Sequence, residues 1–303
     1  MRENISFVVL NYNDATTTKK LVDALCTWEK EKFSIIVVDN QSLDNSFQCL
    51  REQYALESNV VVIQSERNGG YSYGNNYGVK YALEHFNPKY IAIANPDIQI
   101  DEKTCCELIE TFNVDSSVAM VAPVMKNLNG EYRIYSQKLP TYFDDLKACF
   151  KESKSKTIEE EKLEYLDNNK KMIITQMLPG SFFVVRSKCF KEIGMFDENV
   201  FLFCEERILG KKIMIRGYKA VLRSDLFFVH AHSVSIRKTY DTIKTWKILM
   251  ESRYYYEKKY NNVDFFRRII IKTSMRIFLC RLCLKLKLYE LVKGNRKECV
   301  CRK

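Results

Sequence analysis

The sequence predicts an α/β fold with a mostly parallel central sheet flanked by helices. Three observations carry that prediction. Four short runs rich in Val and Ile recur through the first 125 residues. Helix-length segments separate them. Polar residues gather just after the runs rather than within them.

The runs are ISFVVLN (5–11), SIIVVDN (34–40), VVVIQ (60–64) and YIAIAN (90–95). Their near-continuous apolar character suits strands buried on both faces. Residues 15–31, 43–57 and 73–87 lie between them and read as helices. Strand, helix, strand, repeated, gives parallel pairing with helices on both faces. Ligands bind such sheets at the carboxyl ends of the strands. Asn11, Asn13, Asp39, Asn40, Arg67, Asn68, Asn95 and Asp97 fall there.

The middle of the chain reads differently. SSVAMVAPVMKN predicts a strand and a turn. Residues 144–171 are dense in charge and poor in core formers, so an exposed helix or a mobile excursion is expected, not a domain. MLPGSFFVVRSKCFKEIG reads as a strand and a short helix, and 201–218 as a second acid-bearing segment. Residues 240–260 read as a long aromatic-rich helix.

No run approaches 18 uninterrupted apolar residues, so no membrane-spanning helix is expected. MRENISFVVLNYN has too short an apolar core for a signal peptide, which points to the cytosol or the cytosolic face of a membrane. The eleven cysteines are then expected to be reduced, most of them as small core residues. Cys280, Cys283, Cys299 and Cys301 echo a zinc motif, but the second pair has the wrong spacing and the turn residues are missing.

The net charge of +10 is concentrated. Between Val263 and Lys303 stand twelve Lys or Arg and three acids. Arg268, Lys272 and Arg276 are spaced by four and share one stripe on a helix, although LCLKLKLYEL further on alternates like a strand. The plain reading is a packed helix with a solvated face. The sharper reading is an interfacial segment with its cations on anionic lipid. Few aromatics interleave for base stacking, so no nucleic acid partner is expected.

Asp97 follows Pro96 beyond a buried run, where an acid often caps a helix. Asp101 directly precedes the next periodic segment and suits that role better. A carboxylate on a proline-stiffened turn at a strand end suits a hard divalent cation, which bridges well to a diphosphate. The first run is followed by NYNDATTT, without the glycines of a dinucleotide fingerprint. The glycine-rich basic loop of nucleotidyltransferases is missing as well. Gly70, Gly74 and Gly78 share one helix face, and both close packing and a ligand role fit that spacing. Glu205 and Glu206 read either as first-turn acids favoured by the helix dipole or as chemical groups. His230 reads as a ligand or a strand-end histidine. His232 reads as bland, and Asp197 as a turn residue.

VVLNYN, IIVVDNQSLDNS, NGGYSYGNNYG, ANPDI, LPGSFFVVRSKCFKEIGMFDENVFLFCEE and GYKAVLRSDLFFVHAHSVS, in that order, resemble the signatures of family 2 glycosyltransferases with the A-type nucleotide-sugar fold. The resemblance is closest to bacterial rhamnosyltransferase-like enzymes of surface-polysaccharide assembly, such as capsule or O-antigen, and covers roughly residues 5–255. It implies a catalytic domain over 1–240, with a nucleotide-sugar half to about 125 and an acceptor half over 126–240. A basic helical, membrane-associating extension over 241–303 would follow.

The implied reaction is an inverting, metal-dependent transfer of a hexosyl or rhamnosyl group. The donor is a UDP or dTDP sugar and the acceptor a polysaccharide or lipid-linked saccharide. Mg or Mn is the implied cofactor, and the inner face of the cell membrane the implied location. Asn11 and Tyr12 would line the base pocket, and Asp39 would bond the pyrimidine or ribose. Arg67, Asn68, the stretch Gly69 to Gly74, Gly70 within it, and Asn75 would close over nucleotide and diphosphate. Asn95-Pro96-Asp97 matches the variant metal motif, with Asp97 as ligand and His230 completing the site. Glu206 matches the catalytic base, with Glu205 as the neighbouring alternative.

CEERIL departs from the family's Glu-Asp-x-Asp-Leu. Ile208 replaces an acid, Glu206 replaces a shorter one, and Lys212 stands where arginine is common. These departures leave open a second reading, a catalytically impaired relative that binds sugar nucleotide or scaffolds a polysaccharide-assembly complex. Self-association is left open too.

Overall fold

The Val/Ile runs form strands and the segments between them form helices, as their periods require. In chain order these are β1 (Ile5–Asn11), α1 (Ala15–Cys26), β2 (Phe33–Asp39), α2 (Ser46–Gln53), β3 (Val60–Gln64), α3 (Gly70–His85) and β4 (Tyr90–Ala94). The computed structural model describes residues 4–133, 138–150, 163–169, 171–231 and 242–300. The four strands pair in parallel in the order β3-β2-β1-β4. Every residue of β2 and β4 is buried, as expected for strands covered on both faces. The chain steps outward from β1 to β3, then returns to the far side of β1 as β4. That reversal marks the switch point at which such sheets bind ligands.

Beyond β4 the sheet is mixed. It adds β5 (Ile98–Gln99), α4 (Glu102–Val114), β6 (Val118–Lys126), β7 (Tyr132–Arg133), α5 (Tyr142–Ala148), β8 (Glu164–Tyr165), β9 (Met172–Thr175), β10 (Phe182–Arg186), α6 (Ser187–Glu192), α7 (Glu205–Ile215) and β11 (Lys219–His230). β10 inserts antiparallel between β4 and β6, and β11 runs parallel to β6. The order is β3-β2-β1-β4-β10-β6-β11-β9-β8. Short β5 pairs antiparallel with the end of β11, setting Ile98 opposite His230.

Apolar layers cover both faces. Phe7, Leu25, Ile35, Phe112 and Phe182 lie in one, and Val8, Val38, Ile93, Phe183 and Phe190 in the other. The layers alternate along β1 and β2 because strand side chains alternate in direction. α3 lies unusually close to the sheet. A Cβ on Gly74 would sit 2.4 Å from Leu10 Cδ1, and one on Gly78 would sit 2.6 Å from Val8 and Val38. At these two positions the glycine spacing serves packing. Asp101 caps α4 by accepting from the Thr104 amide at 2.7 Å, the role its sequence position predicts. The nine cysteines among the described residues through Cys283 are not in disulfides.

The chain divides into two compact units, Met1–Leu139 with Ser155–Ser235, and Pro140–Lys154 with Ile236–Lys303. The second consists of α5, α8 (Thr242–Lys259) and α9 (Phe265–Val300). Its core holds Tyr142, Cys149, Met250, Val263, Ile271 and Met275. Residues 144–171, expected as an exposed helix or a mobile excursion, begin within a helix, and two buried residues anchor it. Thr141 and Asp144 close α5 with a reciprocal capping box, and the helix buries Tyr142 and Asp145. Asp145 faces Arg253 at 3.7 Å. Charge density in the sequence hides these two anchors. Glu164 and Tyr165 form an edge strand of the sheet, while 151–162 and 170 lie outside the described residues. The strand-like alternation of LCLKLKLYEL is absorbed into α9.

Candidate active site

Asn11 and Asp39 end neighbouring parallel strands, so their side chains emerge side by side. Asn11 donates through Nδ2 to Asp39 Oδ2 at 2.8 Å, and its Oδ1 accepts from Thr18 at 2.8 Å. Asp39 Oδ1 accepts from the Ser42 amide at 3.0 Å and from Gln64 at 3.1 Å. Both residues are fully buried. A buried carboxylate persists when hydrogen bonds replace its water, and Asp39 has three. Tyr12, the next residue after Asn11, is half-buried. Thr18 and Ser42 complete this cluster. Ser42 stands inside the IIVVDNQSLDNS motif but was not singled out, and Thr18 lies in a helix whose approach only the fold defines.

The loop into α3 forms the next element. Asn40 donates to Asn68 Oδ1 and to the Gly70 carbonyl, both at 3.1 Å, and accepts from Ser65 at 3.1 Å. Gly70 has φ of +83°, and its amide donates to Asn68 Oδ1 at 3.2 Å. A Cβ on Gly70 would meet the Phe201 carbonyl oxygen at 2.0 Å. The Tyr71 amide donates to that same oxygen at 2.8 Å. Here glycine serves both conformation and close approach. Arg67 is exposed, with its guanidinium 4.7 Å above the Tyr73 ring. Asn75 is buried within α3, donating to the Tyr71 carbonyl at 3.0 Å.

The β5–β11 pairing brings Asp97 to His230 across 133 residues of sequence. Asp97 Oδ1 lies 3.1 Å from His230 Nε2, and the Asp97 carbonyl accepts from the Ala231 amide at 3.0 Å. Both side chains are about nine-tenths buried. Two neighbouring ligands about 2.1 Å from an octahedral ion stand about 3 Å apart. That spacing would suit a divalent cation held by the pair. Among the described residues no third His, Cys, Asp or Glu joins it. His232 lies outside the described residues.

Glu205 and Glu206 open α7. Phe203 and Cys204 before them both take left-handed backbone, with φ of +71° and +67°, a strained pair for non-glycine residues. Glu205 is buried, and its Oε1 has no hydrogen-bond partner among the described residues. Burial, then the charge of Glu206, pushes its carboxyl up to about 8. Burial also raises Glu206, against hydrogen bonds from the backbone of Glu206 and Gly180 and the charge of Arg207. A Cβ on Gly180 would lie 2.8 Å from Glu206 Oε1, so only glycine leaves that carboxylate its room. Tyr71 donates to the Gly180 carbonyl at 2.6 Å.

Gly180 also ties this acid pair to the Asp97 side of the sheet. Ser181, its neighbour, accepts from the Asn95 amide at 2.8 Å, two residues before Asp97. Both pairs thus sit on one strand-end edge. The departures in CEERIL have local explanations. Ile208 is a core residue, 2% exposed. Lys212 donates to the Met195 carbonyl at 2.7 Å and the Gly194 carbonyl at 3.2 Å, securing a turn. Asp197 serves a turn as expected, accepting from the Asn199 amide at 3.1 Å. Gly180 escaped the list of candidates, although it stands inside a motif that defines the site.

Comparison with known proteins agrees with this architecture. Among solved structures, the mannosyltransferase PcManGT from Pyrobaculum calidifontis, in complex with GDP-Man and Mn2+, superposes with a TM-score of 0.59 at 14% identity. The match covers 97% of this chain and 80% of that one. The low-salt glycan biosynthesis hexosyltransferase Agl10 of Haloferax volcanii is 26% identical over 206 residues, 68% of this chain and 60% of the relative. An N-acetylglucosaminyl-diphospho-decaprenol L-rhamnosyltransferase of Mycobacterium tuberculosis is 21% identical over 248 residues, 77% of this chain and 78% of the relative. The family model described as glycosyl transferase family 2 matches residues 6–194, more than half of the chain. The chain belongs to glycosyltransferase family 2.

Proposed function

We propose that the protein is an inverting, metal-dependent glycosyltransferase. It moves a hexosyl or rhamnosyl group from a UDP- or dTDP-type sugar to a polysaccharide or lipid-linked saccharide. The reading rests on one observation: the Asp97–His230 pair and the Glu205–Glu206 pair lie on the same strand-end edge, joined through Asn95, Ser181 and Gly180. The mycobacterial relative, a rhamnosyltransferase of N-acetylglucosaminyl-diphospho-decaprenol, supports a lipid-linked acceptor.

Asp97 and His230 would hold a divalent cation, Mg or Mn, which would supply charge neutralisation at the leaving diphosphate. Asn11, Tyr12 and Asp39 bound the base pocket; Arg67, Asn68, Gly70, Asn75 and Asn95 surround the rest of the donor. Glu206 takes the proton of the attacking acceptor hydroxyl. Burial raises both carboxyls, and the charge of Glu206 raises Glu205 further, which leaves Glu206 the better placed of the two to accept that proton. Single displacement from the face opposite the diphosphate gives inversion. The protein is placed peripherally on the inner face of the membrane through residues 263–303, with no nucleic acid partner.

The test is turnover of a panel of UDP-, dTDP- and GDP-linked sugars, with Mg, Mn or chelator. The proposal expects metal-dependent release of UDP or dTDP, accelerated by a saccharide acceptor. Undiminished turnover in chelator overturns the metal role. Donor binding without turnover of any sugar supports the impaired-relative reading instead.

A further inference from the structure

We propose that α9 meets an anionic bilayer along the side opposite its core contacts, through an apolar stripe and not through the basic row expected from the sequence. Inside the second unit, Ile271, Ser274 and Met275 are buried and define the helix's packed side. Phe265, Phe266, Ile269, Ile270, Ile277 and Leu284 are left between 45% and 74% exposed. At 3.6 residues per turn these six fall within an arc of about 140°, roughly opposite the packed residues. Soluble surfaces seldom keep so many large apolar side chains in one strip.

Charge identifies the occupant. Arg276 and Lys287 fall just inside one edge of the strip, and Arg281 and Lys285 follow the other; all four are exposed, whereas Arg267 and Lys272 lie over the Tyr142 and Tyr254 rings of the packed side. Arg268, a member of the expected basic row, turns back to donate to the Val263 carbonyl at 2.7 Å and belongs to the packed side. An apolar strip rimmed by cations is the pattern of a helix lying in the headgroup layer, its side chains among acyl chains and its charges on lipid phosphates. A second copy would suit the strip poorly. Self-pairing sets the cationic rims against each other, and Asp264 is the only acid between Val263 and Lys287 available to offset them. No helix among the described residues is long and apolar enough to cross a membrane.

The inference rests on the peripheral placement proposed above and deepens it, and one experiment separates the two. The full chain is sedimented with vesicles of phosphatidylcholine containing phosphatidylglycerol, and with phosphatidylcholine alone, at low and high salt. The expected result is binding to the anionic vesicles that weakens with salt. Replacing Ile269, Ile270 and Ile277 together by serine should lower that binding by about tenfold or more, because each loses buried hydrocarbon. Circular dichroism and thermal melting confirm that the variant folds. A second variant, Arg281→Gln with Lys285→Gln, should weaken binding to anionic vesicles while leaving the apolar strip intact. If wild type binds and a folded serine variant binds equally well, the stripe is wrong and the peripheral placement stands. If wild type binds neither vesicle, both fall. If wild type is dimeric by light scattering and the serine variant monomeric, a second copy covers the strip and the bilayer assignment is overturned.

Discussion

In the first unit the acids Asp39 and Glu205 are buried, while in the second Phe265 and Phe266 stand outside. Each departs from the usual partition of charge outward and hydrocarbon inward, for a different reason. Asp39 is tolerated because three donors surround it. Glu205 has an oxygen without such a donor among the described residues, and its carboxyl shifts toward the neutral form instead. The exposed phenylalanines have no such compensation, and the bilayer proposed above is what would cover them. The pair of regions is thus a test of two proposals, chemistry at the buried acids and contact at the exposed rings.

The largest expected effect tests the chemical half of that contrast. Asp97→Ala should lower metal-dependent turnover by about 10³-fold or more, because the site loses an anionic ligand facing the leaving group. Near-normal melting should accompany it, since the residue sits on a turn. Activity that persists in excess chelator would remove Asp97 from the mechanism.

Next comes Glu206→Gln, with turnover expected to fall about 10²-fold while donor affinity is kept, the usual scale for losing a general base. A larger loss in Glu205→Gln would transfer that role to the buried acid. Gly180→Ala should cost about tenfold in turnover and little in stability. Its new methyl displaces the end of the flexible Glu206 side chain instead of backbone. Kinetics beside a thermal melt distinguish this from general unfolding.

The smallest effect on activity belongs to Glu205→Gln, whose expected signature is in stability. A raised carboxyl binds its proton more tightly in the folded state. Below about pH 4.5 both states are protonated and the residue contributes no penalty. Between there and about 8 the unfolded chain alone releases the proton, so stability falls as pH rises; above about 8 the full cost is present. The glutamine variant should therefore match wild type near pH 4 and exceed it at pH 9, by on the order of a few kcal/mol. An advantage that shrinks as pH rises would mean that Glu205 is not held in its neutral form.

The sequence revealed the parallel half of the sheet to within a residue. β1 and β3 match their predicted bounds, and β2 is displaced by one. Continuous apolar runs between helices leave little alternative. The antiparallel insertion of β10 was not legible, because a run such as FFVVR says nothing about its direction or its neighbours. The same limit hid the β5–β11 pairing, so nothing in the spacing of Asp97 and His230 foretold a 3.1 Å contact. The motif glycines were legible as a row but not as a division of labour. Gly74 and Gly78 pack a helix, whereas Gly70 meets a distant carbonyl.

That last contact sets unequal rules for the residues that make it. It uses the main-chain oxygen of Phe201 and so makes no demand on which side chain position 201 carries. Position 70 has no such latitude, since both its backbone angle and its clearance exclude a Cβ. During divergence, then, position 201 can drift while position 70 stays fixed. The start of α3 and the strained turn ahead of Glu205 remain joined, even as the letters between them cease to match.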